Sequence, residues 1–341
     1  MPQNDQHFRS AWDCANYALL ETIFNNDVVA QNTSAKKFPD YICHYTSFAG
    51  LKGIIESNSI WLTPLSFMND YSEFMKGHHS IHSQIIPKYI GAIDPSENKD
   101  FVTALRRAAD DFASQAFNEY FNTYISCWSQ CEILGDSNSV DALAMWRGYA
   151  ADGNGVAIVI DVDATGISPK DESDIRLLKV QYEGDEALEK RTFRCLNIFF
   201  QLIKSEIILS KTSISELFDC IKSIYQTIAL THKVVEFQEE REWRLIMTSD
   251  TANILSGAEK VFKGLLQDRD ARPIVKLNLD GQKSIIPKPV FLKDIVSHIM
   301  IGPCSWEIMH SRKLAIEHFL RENGFLKTKV LTSKIPYRGR R

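Results

Sequence analysis

Four glutamates lie close together directly before an apolar segment, Trp243 to Met247. Two of them, Glu240 and Glu242, are two residues apart, so their carboxylates share one face if the segment is extended. Mutual repulsion raises the proton affinity of one carboxylate, so one can stabilise a developing cation while the other accepts a proton. The alternative is a solvated strand edge whose charge is neutralised by nearby arginines. The full set of charged residues is Glu236, Glu239, Glu240, Glu242, Arg241 and Arg244.

His44, Tyr45 and Thr46 end a predicted strand and precede a predicted helix. A polar side chain at such a strand end projects into the crevice beside the sheet edge, where His44 could donate to a ribose hydroxyl. The alternative is a histidine whose ring nitrogens bond the backbone, with Thr46 as a helix cap.

Trp146 and Tyr149 are three residues apart on a predicted short helix, so both rings can face the same way. An aromatic pair can sandwich a planar ring such as nicotinamide or a base, although such pairs are more often part of the core.

Two groups of residues have the side chains of a metal site but not its spacing. Cys127 and Cys131 have no second cysteine pair, and His78, His79 and His82 have no carboxylate at a matching spacing. We therefore expect no metal. The sequence also lacks GxxxxGK[ST], GxGxxG and GxSxG, the signals of a phosphate loop, a dinucleotide-binding Rossmann fold and a serine hydrolase elbow.

Short apolar runs and helical periodicity alternate along the chain, and these are the elements that must position the candidates. Strands are predicted at 41–45, 60–63, 124–129, 156–160, 177–182, 243–247, 274–279, 295–301 and 328–333. Helices are predicted at 8–24, after Ser47 as cap, at 69–89, 101–121, 142–150 after Asp141 as cap, 186–209, 214–232 and 306–323. An exposed loop is expected at 130–139.

The order of these elements predicts an α+β fold with a mixed, mainly antiparallel central sheet wrapped by helices. We expect residues 1–40 to form an N-terminal helical extension. Residues 41–341 are expected to form a single α+β domain of catalytic type, with a helical insertion at 186–232.

The composition is that of a globular protein, with 341 residues of which 44% are hydrophobic and 24% charged. A net charge of −4 argues against a uniformly basic nucleic-acid binder. Seven cysteines are an odd number, and neither a signal peptide nor an apolar run of the ~20 residues of a membrane helix occurs. We therefore expect a cytoplasmic protein without structural disulfides.

Several short motifs follow one another in a characteristic order. They are His44-Tyr45-Thr46-Ser47, residues 51–61, Asn69-Asp70 with Glu73, Ser126-Cys127-Trp128-Ser129, Met145-Trp146 with Tyr149-Ala150 and Gly155-Val156, and Glu240-Arg241-Glu242-Trp243-Arg244. In this order they resemble the bacterial domain of unknown function 2971 family, over residues 41–303. The chain departs from the family at Tyr71, where a proline commonly follows the Asn-Asp pair.

The same parts distantly resemble ADP-ribosyltransferases that use NAD, which have a histidine-x-threonine strand, a helix and strand, a central aromatic helix and a late glutamate. The resemblance implies an ADP-ribosyltransferase-like core in which Glu242 is the catalytic glutamate and Glu240 the first acid of a Glu-x-Glu pair. His44 would hold a ribose, and Tyr149 with Trp146 would stack on nicotinamide. The residues implied to contact NAD are His44, Tyr45, Thr46, Ser126, Trp146, Tyr149 and Arg244.

The residue types fit this chemistry. Cleavage of the bond between nicotinamide and ribose gives the sugar oxocarbenium character, which a carboxylate held against the ribose stabilises. Glu240 would deprotonate the acceptor, while Arg244 would pair with the diphosphate or orient Glu242. Lys52 and Arg147 are further candidates for binding phosphate.

We therefore expect an NAD-dependent ADP-ribosyltransferase that acts on a protein or nucleic acid, as a bacterial toxin or phage-defence effector. NAD would be a substrate, and an inhibitor or antitoxin protein could silence the enzyme. Two other functions stay open. One is a non-catalytic module that binds a nucleotide or nucleic acid, and the other is a metal-dependent hydrolase using Asp70, Glu73 and the Glu240 pair.

Overall fold

The computed structural model describes most of the chain. The described residues are 10–24, 38–68, 71–93, 99–134, 137–138, 141–166, 175–204, 208, 212–248, 260–262, 273–278 and 290–337. Two predicted motif residues, Asn69 and Asp70, lie outside this part, and so does the side chain of Glu73.

The described residues contain eleven α-helices. They are α1 (Ala11–Phe24), α2 (Phe48–Ser57), α3 (Tyr71–Ser80), α4 (Ile86–Ala92), α5 (Lys99–Asn122), α6 (Leu143–Tyr149), α7 (Val162–Thr165), α8 (Asp185–Ile203), α9 (Ile214–Thr231), α10 (Leu292–Ile295) and α11 (Trp306–Glu322). The predicted cap of α2 is confirmed, because the Ser47 hydroxyl accepts the Gly50 N–H at 3.1 Å.

The described residues also contain fourteen β-strands, and short 3₁₀ or π-helical turns at Leu65–Phe67, Ile81–Ile85 and Val235–Glu240. The strands are β1 (Tyr41–Thr46), β2 (Ser59–Pro64), β3 (Thr123–Cys131), β4 (Ile133–Leu134), β5 (Ser137–Asn138), β6 (Val156–Asp161), β7 (Ile175–Lys179), β8 (Gln181–Tyr182), β9 (His232–Lys233), β10 (Glu242–Thr248), β11 (Lys260–Phe262), β12 (Pro273–Asn278), β13 (Val296–Ile301) and β14 (Lys329–Thr332). Each strand predicted from the sequence has a counterpart among them. The α+β class is therefore confirmed.

The chain divides into two compact units, each made of three segments. The first comprises Met1–Ala35, Met68–Phe121 and Lys179–Gln238, and the second Lys36–Phe67, Asn122–Leu178 and Glu239–Arg341. These units are groups of elements that pack together, which does not mean that each folds independently. The division into an extension, a single domain and an insertion stays a prediction.

The first unit is mainly helical, and α1 packs against both α8 and α9. A buried ion pair ties α8 to the residues before it, since the Arg191 guanidinium donates to the Glu183 carboxylate at 2.5 and 2.8 Å. Arg191 also donates to the Thr231 hydroxyl at the end of α9. These bonds satisfy a charge that would be costly to bury alone.

The second unit is built on a ten-stranded sheet of order β11-β12-β2-β3-β1-β6-β13-β14, with β10 pairing to β3 and β7. The pair β13–β14 is parallel, whereas the ladders that join β1, β2, β3, β6 and β10 are antiparallel. The sheet is therefore mixed and mainly antiparallel, as predicted.

Strand β3 decides which side chains share a face of this sheet. Residues directly opposite each other in an antiparallel ladder point to the same face, and successive residues of a strand alternate. Ser129 lies opposite Cys43 on one edge of β3 and opposite Glu242 on the other. Cys43 and Glu242 therefore share a face, and His44, the next residue of β1, belongs to the other.

We name the two faces after the helices that cover them. The α6 face carries Cys43, Tyr45 and Val159, which form a buried cluster with Trp146 of α6. The α2 face carries His44 and Ile158, which lie with Ile54 of α2 around a small pocket.

The structure differs from the predictions in three places. The helix predicted at 69–89 is divided by a π-helical turn, Ile81–Ile85, which interrupts the regular hydrogen bonding between α3 and α4. The loop predicted at 130–139 contains the β4–β5 hairpin. Asp141 does not cap α6, because the N-cap is Ala142, which makes no side-chain cap bond.

In the described part of the chain, no helix has the length and apolar character needed to cross a membrane.

A glycine substitution tests the close packing around β6. A methyl group at Gly155 would lie against the carbonyl oxygens of Thr46 and Ala150, closer than real Cβ contacts allow. We expect Gly155→Ala to lower the free energy of unfolding by about 1–3 kcal/mol, because the backbone must shift. The matched control is Gly148→Ala, an exposed helical position with no atom within 4 Å, which should raise it by about 0.5–1 kcal/mol. Urea unfolding of both variants measures the difference.

His78 in α3 is buried in the first unit. Its Nε2–H donates to the Phe112 carbonyl at 2.9 Å, and its ring stacks on the Phe112 ring with centroids 3.9 Å apart. Burial lowers the pKa of His78 to about 4, with the bond to Phe112 opposing this shift and the neighbouring His82 and His79 adding to it. The folded chain therefore holds this imidazole neutral at a pH where the unfolded chain protonates it.

The His78 shift predicts an acid-sensitive stability. Since the folded pKa lies below the unfolded value of 6.5, the unfolded chain binds more protons between pH 6.5 and about 4, and stability falls as the pH falls through this window. His78→Gln keeps a donor for the Phe112 carbonyl but does not titrate. Urea unfolding at pH 7 and pH 4.5 should give a smaller loss for this variant than for the wild type. An equal loss would contradict the assignment.

Candidate functional site

Glu242 and Arg244 form a buried ion pair at the start of β10. The Arg244 Nε–H donates to Glu242 Oε1 at 2.8 Å, and Nη2–H donates to Oε2 at 3.1 Å, so both carboxylate oxygens are engaged. The residues are 4% and 3% exposed. Their spacing of two places them on the α6 face together. Of the two roles predicted for Arg244, pairing with the diphosphate or orienting Glu242, the contacts show the second, because they hold Glu242 in one orientation.

The residue before this pair has an unusual backbone. Arg241 has φ 44°, in the left-handed region that side chains other than glycine rarely adopt. Its carbonyl accepts the N–H of Gln130 in β3 at 2.8 Å, and this bond attaches the turn to that strand. Backbone strain of this kind is concentrated at functional sites, where the surrounding structure maintains it.

Glu240 precedes this turn, at the end of a 3₁₀ helix, Val235–Glu240, and meets α6. The Tyr149 hydroxyl donates to Glu240 Oε1 at 2.7 Å. Tyr149 is 38% exposed and Glu240 is half-buried, so an aromatic ring and a carboxylate are both accessible here. Among the predicted residues, this is the contact that joins the aromatic helix to the acidic segment.

Trp146 is part of the core. Its side chain is 0% exposed, and its indole N–H donates to Asp141 Oδ1 at 2.9 Å. The Tyr45 ring, also buried, meets the Trp146 ring edge-on with centroids 5.0 Å apart. Trp146 is therefore a core residue, as the alternative interpretation of the aromatic pair expects, and of the two rings Tyr149 is the one accessible to solvent.

His44 has a structural partner on the α2 face. Its Nδ1 donates to the Cys127 carbonyl at 2.9 Å, so the backbone satisfies one ring nitrogen. Strand β1 pairs with residues 129–131 of β3. Cys127 lies before these residues, so the His44 ring bonds a backbone carbonyl that this ladder leaves available. Burial lowers the pKa of His44 and favours the neutral ring, although the bond to Cys127 opposes this shift.

Thr46 and Ser126 also belong to the α2 face. Thr46 lies two residues after His44 on β1, and its side chain packs against Gly50 of α2. The Ser126 hydroxyl accepts the Trp128 indole N–H at 3.0 Å. His44 and Ser126 line a small, mainly apolar pocket. The other lining residues are Ile54, Ile60, Trp61, Trp128, Ile158, Ile160 and Leu292.

The structure thus divides the predicted site residues between two faces. Tyr149 and Glu240 are in contact and lie on the α6 side with the Glu242–Arg244 pair. His44 and Glu242, which the resemblance assigns to the same NAD, point to opposite faces of the sheet, because Ser129 of β3 lies opposite both Cys43 and Glu242. We use the name candidate site for Tyr149, Glu240, Glu242 and Arg244.

Sequence reasoning missed the anchoring role of Asp141. Its carboxylate accepts the Trp146 indole N–H, the Ser333 hydroxyl and the Lys334 backbone N–H, at 2.9, 2.5 and 2.6 Å. Two of these donors are more than 190 positions away in the sequence. No local pattern could have indicated them.

The other predicted phosphate ligands lie apart from one another. Lys52 is exposed on α2 and paired with Glu56 at 3.7 Å. Arg147 is exposed on α6, with its guanidinium 5.9 Å from the centre of the Tyr337 ring. Within the described residues, no group of three or more His, Cys, Asp or Glu side chains is arranged to hold a metal ion.

Residues 145–245 match the model of a family described as Protein of unknown function (DUF2971). The predicted resemblance to this family is therefore confirmed over that segment, which contains every residue of the candidate site. No curated protein and no solved structure matches the chain.

Removing one partner of the buried ion pair tests its energetics. We expect Arg244→Met to lower the free energy of unfolding by about 3–5 kcal/mol, because Glu242 is left buried without its counter-charge. The double variant Glu242→Leu with Arg244→Met should lose much less. Lys313→Met removes the cation of an exposed pair in the same unit and should change little. Urea unfolding measures all three, and equal stabilities of the two arginine-site variants would refute the assignment.

Proposed function

We propose that the chain transfers ADP-ribose from NAD to a macromolecular acceptor, a protein or nucleic acid, at the candidate site. The observation that carries the proposal is the 2.7 Å hydrogen bond from the Tyr149 hydroxyl to Glu240. It joins an accessible aromatic ring to an accessible carboxylate beside a strained turn at Arg241. An aromatic face and a carboxylate are what a nicotinamide glycoside needs from a protein.

The reaction breaks the bond between ribose C1′ and the nicotinamide nitrogen. The bonding electron pair leaves with nicotinamide, which becomes neutral, and positive charge develops on the ribose. The acceptor oxygen or nitrogen then forms a bond to C1′ and loses its proton. In our proposal the Glu240 carboxylate stabilises the developing cation and takes up that proton, as a carboxylate does in glycoside hydrolysis.

The accessible residues suggest how NAD would be held. The Tyr149 ring offers a face for nicotinamide, a role that the buried Trp146 ring does not fill. Arg241 and Arg147 are exposed cations on the same two segments as Glu240 and Tyr149, and they suit the diphosphate. Arg244 is engaged with Glu242 and is assigned no phosphate contact.

The ion pair changes the roles that the resemblance implied. Glu242 is 4% exposed and gives both carboxylate oxygens to Arg244, so we assign it to positioning rather than to substrate contact. It anchors the start of β10 and thereby fixes Arg241 and Glu240. His44, Thr46 and Ser126 belong to the α2 face and have no part in this proposal.

The biological setting belongs to the proposal as well. A transferase of this kind would act in the cytoplasm as a toxin or phage-defence effector, and an inhibitor protein would keep it silent until it is needed. The acceptor would be selected by surfaces around the candidate site.

A second candidate function is a nucleotide-binding module without turnover. The observation that favours it is the bidentate neutralisation of Glu242, which removes one of the two carboxylates that an acid pair needs. The same exposed Tyr149 ring and arginines would then serve recognition alone. This function gives ligand-dependent stabilisation but no nicotinamide.

Incubation of the purified chain with NAD labelled in the adenylate part, with and without cell extract, separates the two candidates. The transferase releases nicotinamide and labels a macromolecule, whereas the binding module raises the melting temperature with NAD and releases nothing. Absence of binding, release and labelling would overturn both.

Substitutions at the contact test the assigned roles. We expect Glu240→Gln to reduce nicotinamide release by about 10²-fold or more, because it removes charge at the developing cation with little change of shape. Tyr149→Ala should weaken NAD binding, while Tyr149→Phe keeps the ring and should bind almost normally. Glu239→Gln removes a neighbouring exposed charge and is the matched control. Full activity of Glu240→Gln would overturn the assignment.

A further inference from the structure

The residues after β14 contact Asp141, which lies just before the N-terminus of α6. We name Ser333–Tyr337 the C-terminal strap. The Ser333 hydroxyl and the Lys334 backbone N–H both donate to the Asp141 carboxylate, at 2.5 and 2.6 Å. The same carboxylate accepts the Trp146 indole N–H. One side chain therefore joins the strap to the buried anchor of α6.

The strap also holds the other end of α6. The Tyr337 hydroxyl donates to Asp152 Oδ1 at 2.7 Å, and the Tyr337 ring lies 3.2 Å from the position that a Cβ on Gly153 would take. Ala151 and Asp152 both have positive φ, 49° and 52°. Such a strained turn persists when its surroundings hold it in place, and Tyr337 supplies part of that support.

Helix α6 needs external support because its own sequence gives little. It has seven residues, fewer than an isolated helix needs to be stable in water, and its N-cap Ala142 makes no side-chain bond. Of its side chains, Met145 and Trp146 are buried. Its position, and hence that of Tyr149 at its last turn, depends on these contacts and on the strap.

We propose that Asp141 is a positioning residue of the candidate site, which couples the C-terminal strap to α6 and so holds Tyr149 against Glu240. Release of the strap would free α6 at both ends and break the Tyr149–Glu240 contact. Release of the strap would thereby change the activity of the site. The consequence for activity rests on the proposed function, but the coupling is a property of the fold and is tested without NAD.

The test uses the full chain labelled with 3-fluorotyrosine. The Tyr149 fluorine resonance is assigned by its loss in Tyr149→Phe, and its change in Glu240→Ala, which removes the acceptor, defines the signal of a broken contact. Trypsin cleavage after Lys334, followed by mass spectrometry, reports release of the strap. The variants are Asp141→Asn, which weakens the anchor, and Ser333→Ala, which leaves Asp141 intact. Glu322→Gln on α11 is the control for loss of an exposed carboxylate.

We expect Asp141→Asn to accelerate cleavage after Lys334 by about tenfold, the effect of losing charge-assisted hydrogen bonds, and to move the Tyr149 resonance toward its position in Glu240→Ala. Ser333→Ala should change the cleavage rate and the Tyr149 resonance in the same direction but by less. Glu322→Gln should change neither the rate nor the resonance. Should Asp141→Asn fail to fold, Ser333→Ala still decides. Faster cleavage with an unmoved Tyr149 resonance would overturn the coupling, as would no change in either.

Measurement of NAD turnover in the same samples separates this inference from the proposed function. A wild type that releases no nicotinamide but whose Tyr149 resonance responds to Asp141→Asn refutes the transferase and supports the coupling. A wild type that turns over NAD, with Asp141→Asn active and its Tyr149 resonance unmoved, refutes the coupling and supports the transferase.

Discussion

Hydrogen bonding along both edges of β3 is the constraint on which the second unit depends. Ser129 meets Cys43 on one edge and Glu242 on the other, so the register of two ladders is fixed by one strand. Because side chains alternate, this register assigns His44 to the α2 face and the ion pair to the α6 face. A shift by one residue in either ladder would exchange the faces and bury a different set of groups. The registers on β3 therefore decide which polar side chains can act together on one face of the sheet.

The buried ion pair shows how this constraint is enforced. Desolvation of Glu242 and Arg244 is costly, and two good hydrogen bonds offset much of that cost. A slip that exposed one partner and left the other buried would lose this compensation, so the pair favours one register of β10. The strained turn at Arg241 lies directly before it and sets the exit toward Glu240. The accessible carboxylate is thus held by a charge pair that does not itself reach the solvent.

Long-range contacts then complete the candidate site. Helix α6 carries Tyr149 but is too short to hold its own position, and the C-terminal strap supplies bonds from residues almost 200 positions away. Each of these bonds closes a long loop of chain, which costs entropy that grows only slowly with loop length. A distant segment can therefore anchor a short helix at modest cost. The hydrogen bond from Ser333 to Asp141 connects the end of β14 to the start of α6.

The local sequence accounts for most of the helices and strands and for some contacts between near neighbours. Apolar runs such as Val156 to Ile160 predicted the strands, Ser47 predicted a helix cap, and the spacing of Glu242 and Arg244 placed them on one face, because these features depend on neighbours within a few residues. Strand pairing places His44 and Glu242 on opposite faces, since that arrangement follows from the registers of two ladders. In the tertiary structure Asp141 also anchors a strap instead of capping a helix, because its partners come from the far end of the chain.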